Sequence, residues 1–200
     1  IENLTADNVS LTGDGWSGED RLQTKRLRGS TRLASDGQRW HVEQLVLDTD
    51  FAKLEARGAV PTAEFNSADF WSRLAGYLSR DAVHVRADVD LVQLAQMLPS
   101  TLHLHPTTEL ASGTAGFAID SLQGDESGFS IELKLNDLAA ADGQDRLQPI
   151  LLAAEVRYSP EHTTIDRMVC QSSFLTLAAQ GSLSEGSAVI EGDLEQMAQE

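Results

Sequence analysis

Residues Leu47 to Val60 read LDTDFAKLEARGAV, and residues Cys170 to Leu183 read CQSSFLTLAAQGSL. The second stretch starts 123 residues after the first, and the two align without a gap. In the first, Leu45, Leu47, Thr49 and Phe51 share one parity, after which Leu54, Ala56, Gly58 and Val60 share the other. In the second, Met168, Cys170, Ser172 and Phe174 give way to Leu177, Ala179, Gly181 and Leu183. A one-residue slip within a strand sends every later side chain to the wrong face. The chain is therefore predicted to turn or bulge between Phe51 and Leu54, and again between Phe174 and Leu177. Gly58 and Gly181 fall on the apolar parity, where a missing side chain permits close approach or a bend.

Period two continues on both sides of these stretches. Leu27, Gly29, Thr31 and Leu33 alternate with Arg26, Arg28, Ser30 and Arg32. Val83, Val85, Ala87 and Val89 alternate with His84, Arg86 and Asp88. Phe129, Ile131, Leu133 and Leu135 alternate with Ser130, Glu132, Lys134 and Asn136. Ile150, Leu152, Ala154, Val156 and Tyr158 form a fourth row, and Leu102/Leu104 and Ala115/Phe117/Ile119 form shorter ones. Such alternation predicts strands with one apolar and one wet face, as antiparallel sheets have. Turn signals separate the rows at Gly13-Asp14-Gly15, Asp36-Gly37, Gly124-Asp125, Asp142-Gly143 and Ser159-Pro160.

Two segments carry helical spacing instead. Residues 67–79 place Phe70, Trp71, Leu74, Tyr77 and Leu78 on one side, with Asn66 or Ser67 as cap. Residues 90–98 open on Asp90 as N-cap, carry Leu91, Leu94 and Leu98 as a stripe, and stop at Pro99. Asp90 to Gln96 (DLVQLAQ) is matched by Asp193 to Gln199 (DLEQMAQ), at an offset of 103. The order of hairpin, alternating strand and D-L-x-x start thus occurs twice. The first unit is predicted to span residues 1–123, with helices near 67–79 and 90–98, and residues 124–200 to form part of a second. The expectation is a segment of a longer repeated polypeptide.

Composition narrows the function. The 200 residues are 41% hydrophobic, ordinary for a folded protein. The net charge of −16 repels phosphate backbones and anionic headgroups, so nucleic acid is excluded as a partner. No run approaches the eighteen or so apolar residues of a membrane helix. Cys170 stands alone in an apolar row, which reads as a small buried hydrophobe rather than a disulfide or zinc ligand.

No catalytic pattern emerges. Phosphate-loop and G-x-S-x-G motifs are missing from the chain. Asp48 and Asp50 form a carboxylate pair, but their counterparts in the second copy are Gln171 and Ser173. His103 and His105 flank Leu104 at a spacing metal sites sometimes use, with His41, His84 and His162 elsewhere. The reading adopted is a polar strand face, with no metal, no cofactor and no enzyme. The other reading of His103 and His105, a metal-assisted hydrolase, predicts stoichiometric metal after purification.

Many one-sided strands and only two short helices leave apolar surface to be covered, at about 25 cal/mol per Å². The sheet can close on itself, curl into a trough plugged by helices, or hold an apolar ligand or partner. The hairpin from Leu45 to Gly58, its second copy from Met168 to Gly181, and the short helix from Asp90 to Leu98 resemble the AsmA-like and TamB-type proteins of the bacterial envelope. The resemblance covers about half the chain. It implies repeating β units that form long apolar grooves, a periplasmic location, and a part in outer-membrane biogenesis or lipid transport. It carries no catalytic motif.

The expected fold is mainly β: a curved antiparallel sheet built from a repeated unit, with two short amphipathic helices. The expected function is a non-enzymatic envelope segment whose apolar concave face shelters lipid acyl chains, flanked by adjacent repeats. Leu45, Leu47, Phe51, Leu54, Val83, Val85, Phe117, Ile131, Leu133, Leu152, Val156, Phe174 and Leu177 are expected to line that face. Phe70, Trp71, Leu74 and Tyr77 are expected to form a plug helix over it. The alternative is a structural or protein-interaction scaffold with a self-filled core and no ligand.

Overall fold

The computed structural model describes residues 3–11, 20–61, 83–102, 109–122, 128–141, 146–158, 162–182, 185–193 and 195. They form a twelve-stranded antiparallel sheet whose strands lie side by side almost in chain order. The strands are β1 (Leu4–Leu11), β2 (Leu22–Ser35), β3 (Arg39–Thr49), β4 (Ala52–Pro61), β5 (His84–Asp90), β6 (Leu110–Leu122), β7 (Gly128–Ala140), β8 (Arg146–Leu147), β9 (Ile150–Tyr158), β10 (Thr163–Gln171), β11 (Leu175–Ser182) and β12 (Gly186–Gly192). Eleven of them make one open meander from β1 to β12, and the two-residue β8 pairs beside β7. β1 and β12 are its free edges, so the described residues form no barrel.

Among the described residues one helix interrupts the strands, α1 (Leu91–Met97), as the spacing from Asp90 predicts. The Asp90 carboxylate accepts from the backbone N–H of Val92 at 2.9 Å and of Gln93 at 3.1 Å, satisfying donors that a first helical turn leaves open. The Gln93 side chain and these amides hold the Asp90 carboxyl below its ordinary value. α1 lies across the end of the sheet: Leu91 sits over Gly113 of β6, and the Gln23 N–H of β2 meets the Met97 sulfur at 3.2 Å. The helix expected at 67–79, and with it Phe70, Trp71, Leu74 and Tyr77, lies outside the described residues, as do His103 and His105. Leu102, expected in a strand, lies in a turn.

The predicted phase changes are turns, and they lie slightly earlier than the parity change placed them, at residues 50–51 and 172–174. β3 ends at Thr49 and β4 begins at Ala52; β10 ends at Gln171 and β11 begins at Leu175. Thr49 Oγ1 accepts from Ala52 N at 2.8 Å, and Ser172 Oγ accepts from Leu175 N at 3.1 Å. Beyond each turn the return strand is tied to the next. Asp90 N donates to Phe51 O, and Asp193 N to Phe174 O, both at 2.8 Å. Leu47 faces Leu54 and Cys170 faces Leu177; the register shifts between Val42 and Leu45 in one hairpin and between Ile165 and Met168 in the other.

Gly58 and Gly181 sit where those shifts are taken up, at φ +153° and +142°. A Cβ on Gly181 would lie 2.3 Å from the Gly186 Cα and 2.4 Å from the Glu185 carbonyl oxygen, both backbone atoms that cannot swing away. Gly37, in the Asp36-Gly37 turn between β2 and β3, also has positive φ, +86°, but nothing lies within 4 Å of its Cβ position. Gly181→Ala is therefore expected to cost about 3 kcal/mol and Gly37→Ala about 1 kcal/mol in urea unfolding, strain being common to both and collision confined to the first. Equal costs would show that close approach is not what selects glycine at 181.

The β2–β3 turn also carries a charge signature. The Asp36 carboxylate engages His41 Nε2 at 3.0 Å and accepts from Gln38 N at 2.9 Å and Arg39 N at 2.7 Å. The His41 contact first, then these amides, lower the Asp36 carboxyl to about 2. A carboxyl depressed by folding contributes stability that is present above its unfolded value and lost as pH falls through about 2. A carboxyl NMR titration is expected to find the Asp36 midpoint near 2 and to see His41→Ala move it upward; a midpoint unchanged by that variant would remove His41 as the cause.

Candidate functional site

Residues directly opposite in adjacent antiparallel strands share a face. Following the register across the sheet gives one unbroken rung: Leu4, Gly29, Leu47, Leu54, Ala87, Phe117, Leu133, Leu152, Cys170, Leu177 and Ile190. Not one of these eleven positions, one per strand of the meander, is polar. The next rung reads Thr31, Leu45, Ala56, Val85, Ile119, Ile131, Ala154, Met168, Ala179 and Ala188. Phe129, Val156 and Ile165 extend a third.

These rungs unite ten of the thirteen expected lining residues on one face: Leu45, Leu47, Leu54, Val85, Phe117, Ile131, Leu133, Leu152, Val156 and Leu177. Val83 precedes β5 and stands beside Gly58, its Cγ2 3.0 Å from where a Cβ would be. Phe51 and Phe174 sit half-buried in the two hairpin turns, apart from the rungs, where their carbonyls hold Asp90 and Asp193. Register adds Leu4 and Ile190, which lie outside the alternating rows, and sets Ala87 and Cys170 of those rows in the same line, because parity names a face within one strand but not the residue it meets in the next.

The face has no second layer among the described residues. Only Ala59, Ala95, Leu98 and Phe129 are buried apolar residues there, and no large side chain is fully buried. Leu4 is 49% exposed, Phe117 36% and Ile190 66%. Ten interstrand steps of about 4.8 Å make the rung roughly 48 Å long, and two rungs side by side make an apolar strip of roughly 650 Å². Its side chains are half-buried by their neighbours in the sheet or exposed, so the strip is only partly shielded.

The opposite face differs along its length. Over β2–β5 it carries alternating charge: Arg28, Asp48, Lys53 and Asp88 face one another in turn, and Glu55 faces Arg86. Lys53 Nζ lies 2.6 Å from Glu55, which lowers the Glu55 carboxyl and raises the Lys53 amine. Lys134 pairs Glu132 at 2.7 Å, and His84 faces Asp120. From β9 onward one rung of this face is apolar, Ala153, Val169, Ala178 and Val189, beside polar rows that hold Glu155 and Arg167, and Gln171, Thr176 and Glu191. Two hollows, 680 Å³ over β5–β10 and 600 Å³ over β2–β6, open on the charged side. Their walls mix both signs of charge, so they select no ligand charge.

The Asp48 and Asp50 pair does not form a site. Asp48 belongs to the charged rung, whereas the Asp50 carboxylate bonds the buried Thr24 hydroxyl and is thereby lowered. Cys170 is half-buried on the apolar rung between Leu152 and Leu177. Among the described residues no three His, Cys, Asp or Glu side chains gather as metal ligands, and no helix is long and apolar enough to cross a membrane. No family model, no curated protein and no solved structure matches the chain.

Proposed function

We propose that this chain is a non-enzymatic segment of a larger envelope protein, and that its apolar β face shelters lipid acyl chains for lipid transport or outer-membrane biogenesis. The observation that carries the reading is the eleven-residue apolar rung with no described layer across it. At about 25 cal/mol per Å², each 100 Å² of that strip left bare represents on the order of 2.5 kcal/mol of unrealised transfer free energy. Acyl chains satisfy such a face without hydrogen bonds, and the rung offers none.

The reading includes a repeated unit. Hairpin, return strand and capped start occur twice with the same hydrogen bonds: Phe51 to Asp90 and Phe174 to Asp193, then Asp90 to Val92 N and Asp193 to Glu195 N at 3.0 Å. Repetition of a one-sided strand group lengthens an apolar surface and adds no pocket, which suits a long, flexible-tailed ligand better than a compact one. In this reading adjacent repeats of the parent chain continue the surface, and the location is periplasmic. Shelter needs the face to be apolar and reachable; it does not need the face to be the deeper hollow.

Native mass spectrometry of the purified chain, paired with lipid extraction of the same sample, tests this. Phospholipid or fatty acid is expected to copurify and to leave on denaturation. Leu133→Asp puts a charge at the middle of the rung and is expected to reduce retention at least tenfold. A folded Leu133→Asp variant that keeps its lipid would sink the assignment, and a wild-type chain free of lipid would favour the self-filled scaffold instead.

A further inference from the structure

The two edges of the sheet are unlike. β1 is kinked at Asn8, with φ +53°. β12 is regular along Gly186–Gly192, and all seven residues are exposed, with Val189 at 59% and Ile190 at 66%. Edge strands are usually blunted by Lys, Pro, a bulge or a cover. β12 has no Lys, Arg or Pro, and its single charge is Glu191.

The backbone direction of that edge follows from one bond. Asp193 N points back to Phe174 O, on the β11 side. Alternate residues of a strand direct their N–H and C=O to opposite sides. Residues 187, 189 and 191 therefore bond β11, and Gly186, Ala188, Ile190 and Gly192 present theirs outward. In β5 the equivalent bond is Asp90 N to Phe51 O, and the outward residues are Val83, Val85, Ala87 and Val89. There the outward side is filled. Val83 O accepts from Ser121 N, and Val85, Ala87 and Val89 face Ile119, Phe117 and Ala115 of β6.

We infer that the free edge of β12 is a strand acceptor, and that its occupant is an antiparallel strand patterned like β6, the strand an adjacent repeat would supply. The inference rests on the repeated-unit part of the proposed function. Ala188 would face the counterpart of Ile119, and Ile190 that of Phe117, so the apolar rungs run on unbroken. Charge fits as well: Glu191 would meet the counterpart of Gly116, which faces Asp88 in β5, and Ser187 that of Asp120. No like charges come opposite. The apolar rung of the reverse face, Ala153, Val169, Ala178 and Val189, would run on to the counterpart of Ala118.

The test uses the whole chain and a labelled peptide of Leu110–Leu122, LASGTAGFAIDSL, followed by fluorescence anisotropy. Saturable binding is expected. Ile190→Pro deletes an outward N–H and spares the bonds to β11, and edge positions of that kind tolerate proline; it is expected to weaken binding at least tenfold with an unchanged circular dichroism spectrum. A peptide with Asp in place of Phe117 and Ile119 is expected to bind at least tenfold more weakly. Leu133→Asp, which empties the lipid face, is expected to leave peptide binding intact, so failure of the edge and failure of the lipid reading separate. A folded wild-type chain that ignores the peptide overturns the inference, as does equal binding by Ile190→Pro. Reversible dimers lost in Ile190→Pro, without peptide uptake, would assign the edge to a second copy instead.

Discussion

A sheet one layer thick has no interior of its own. Each strand gives one face to its apolar side chains, and those side chains touch only their neighbours in the same plane unless something lies over them. Here the meander puts eleven apolar positions in a row from Leu4 to Ile190 while only four apolar residues of the described chain are buried. Everything else follows from this imbalance. α1 caps one end, where Leu91 meets Gly113 and Leu98 is buried, but seven residues cannot cover eleven strands. The charged rungs over β2–β5 keep the reverse side wet, so turning over gains nothing.

The charged rungs also do positional work. Arg28, Asp48, Lys53 and Asp88 attract in sequence across four strands, and a slip of one residue would bring apolar side chains into that row. Individually such exposed pairs contribute little. Their value is in making one register distinct from its neighbours where the apolar side, rich in similar Leu, Val and Ala, discriminates weakly.

Much of this was legible before any coordinates. The Phe129–Leu135 and Val83–Val89 rows, the Asp90 cap and the existence of a turn near Phe51 all follow from local rules, because alternation and capping depend on residues a few positions apart. Partnership did not. That Leu54 meets Ala87, or that Cys170 stands between Leu152 and Leu177, depends on turn lengths and small register shifts such as those opposite Gly58 and Gly181. The double-sided apolar character of β9 is visible in ILLAA, residues 150–154, but period-two reading passes over it by keeping only one parity. Asn8 and Asp137 adopt positive φ, at +53° and +52°, with no local motif to announce it.

The order of the strands has a mechanical consequence. Because almost every strand touches only those before and after it in the chain, no strand is threaded between distant ones. Tension applied along the chain would peel the sheet from an edge one hairpin at a time, each step breaking a single ladder, rather than shear a closed core at once. Such a sheet would lose strands from its edges by whole hairpins while the pairing of the part that remains stays as it was.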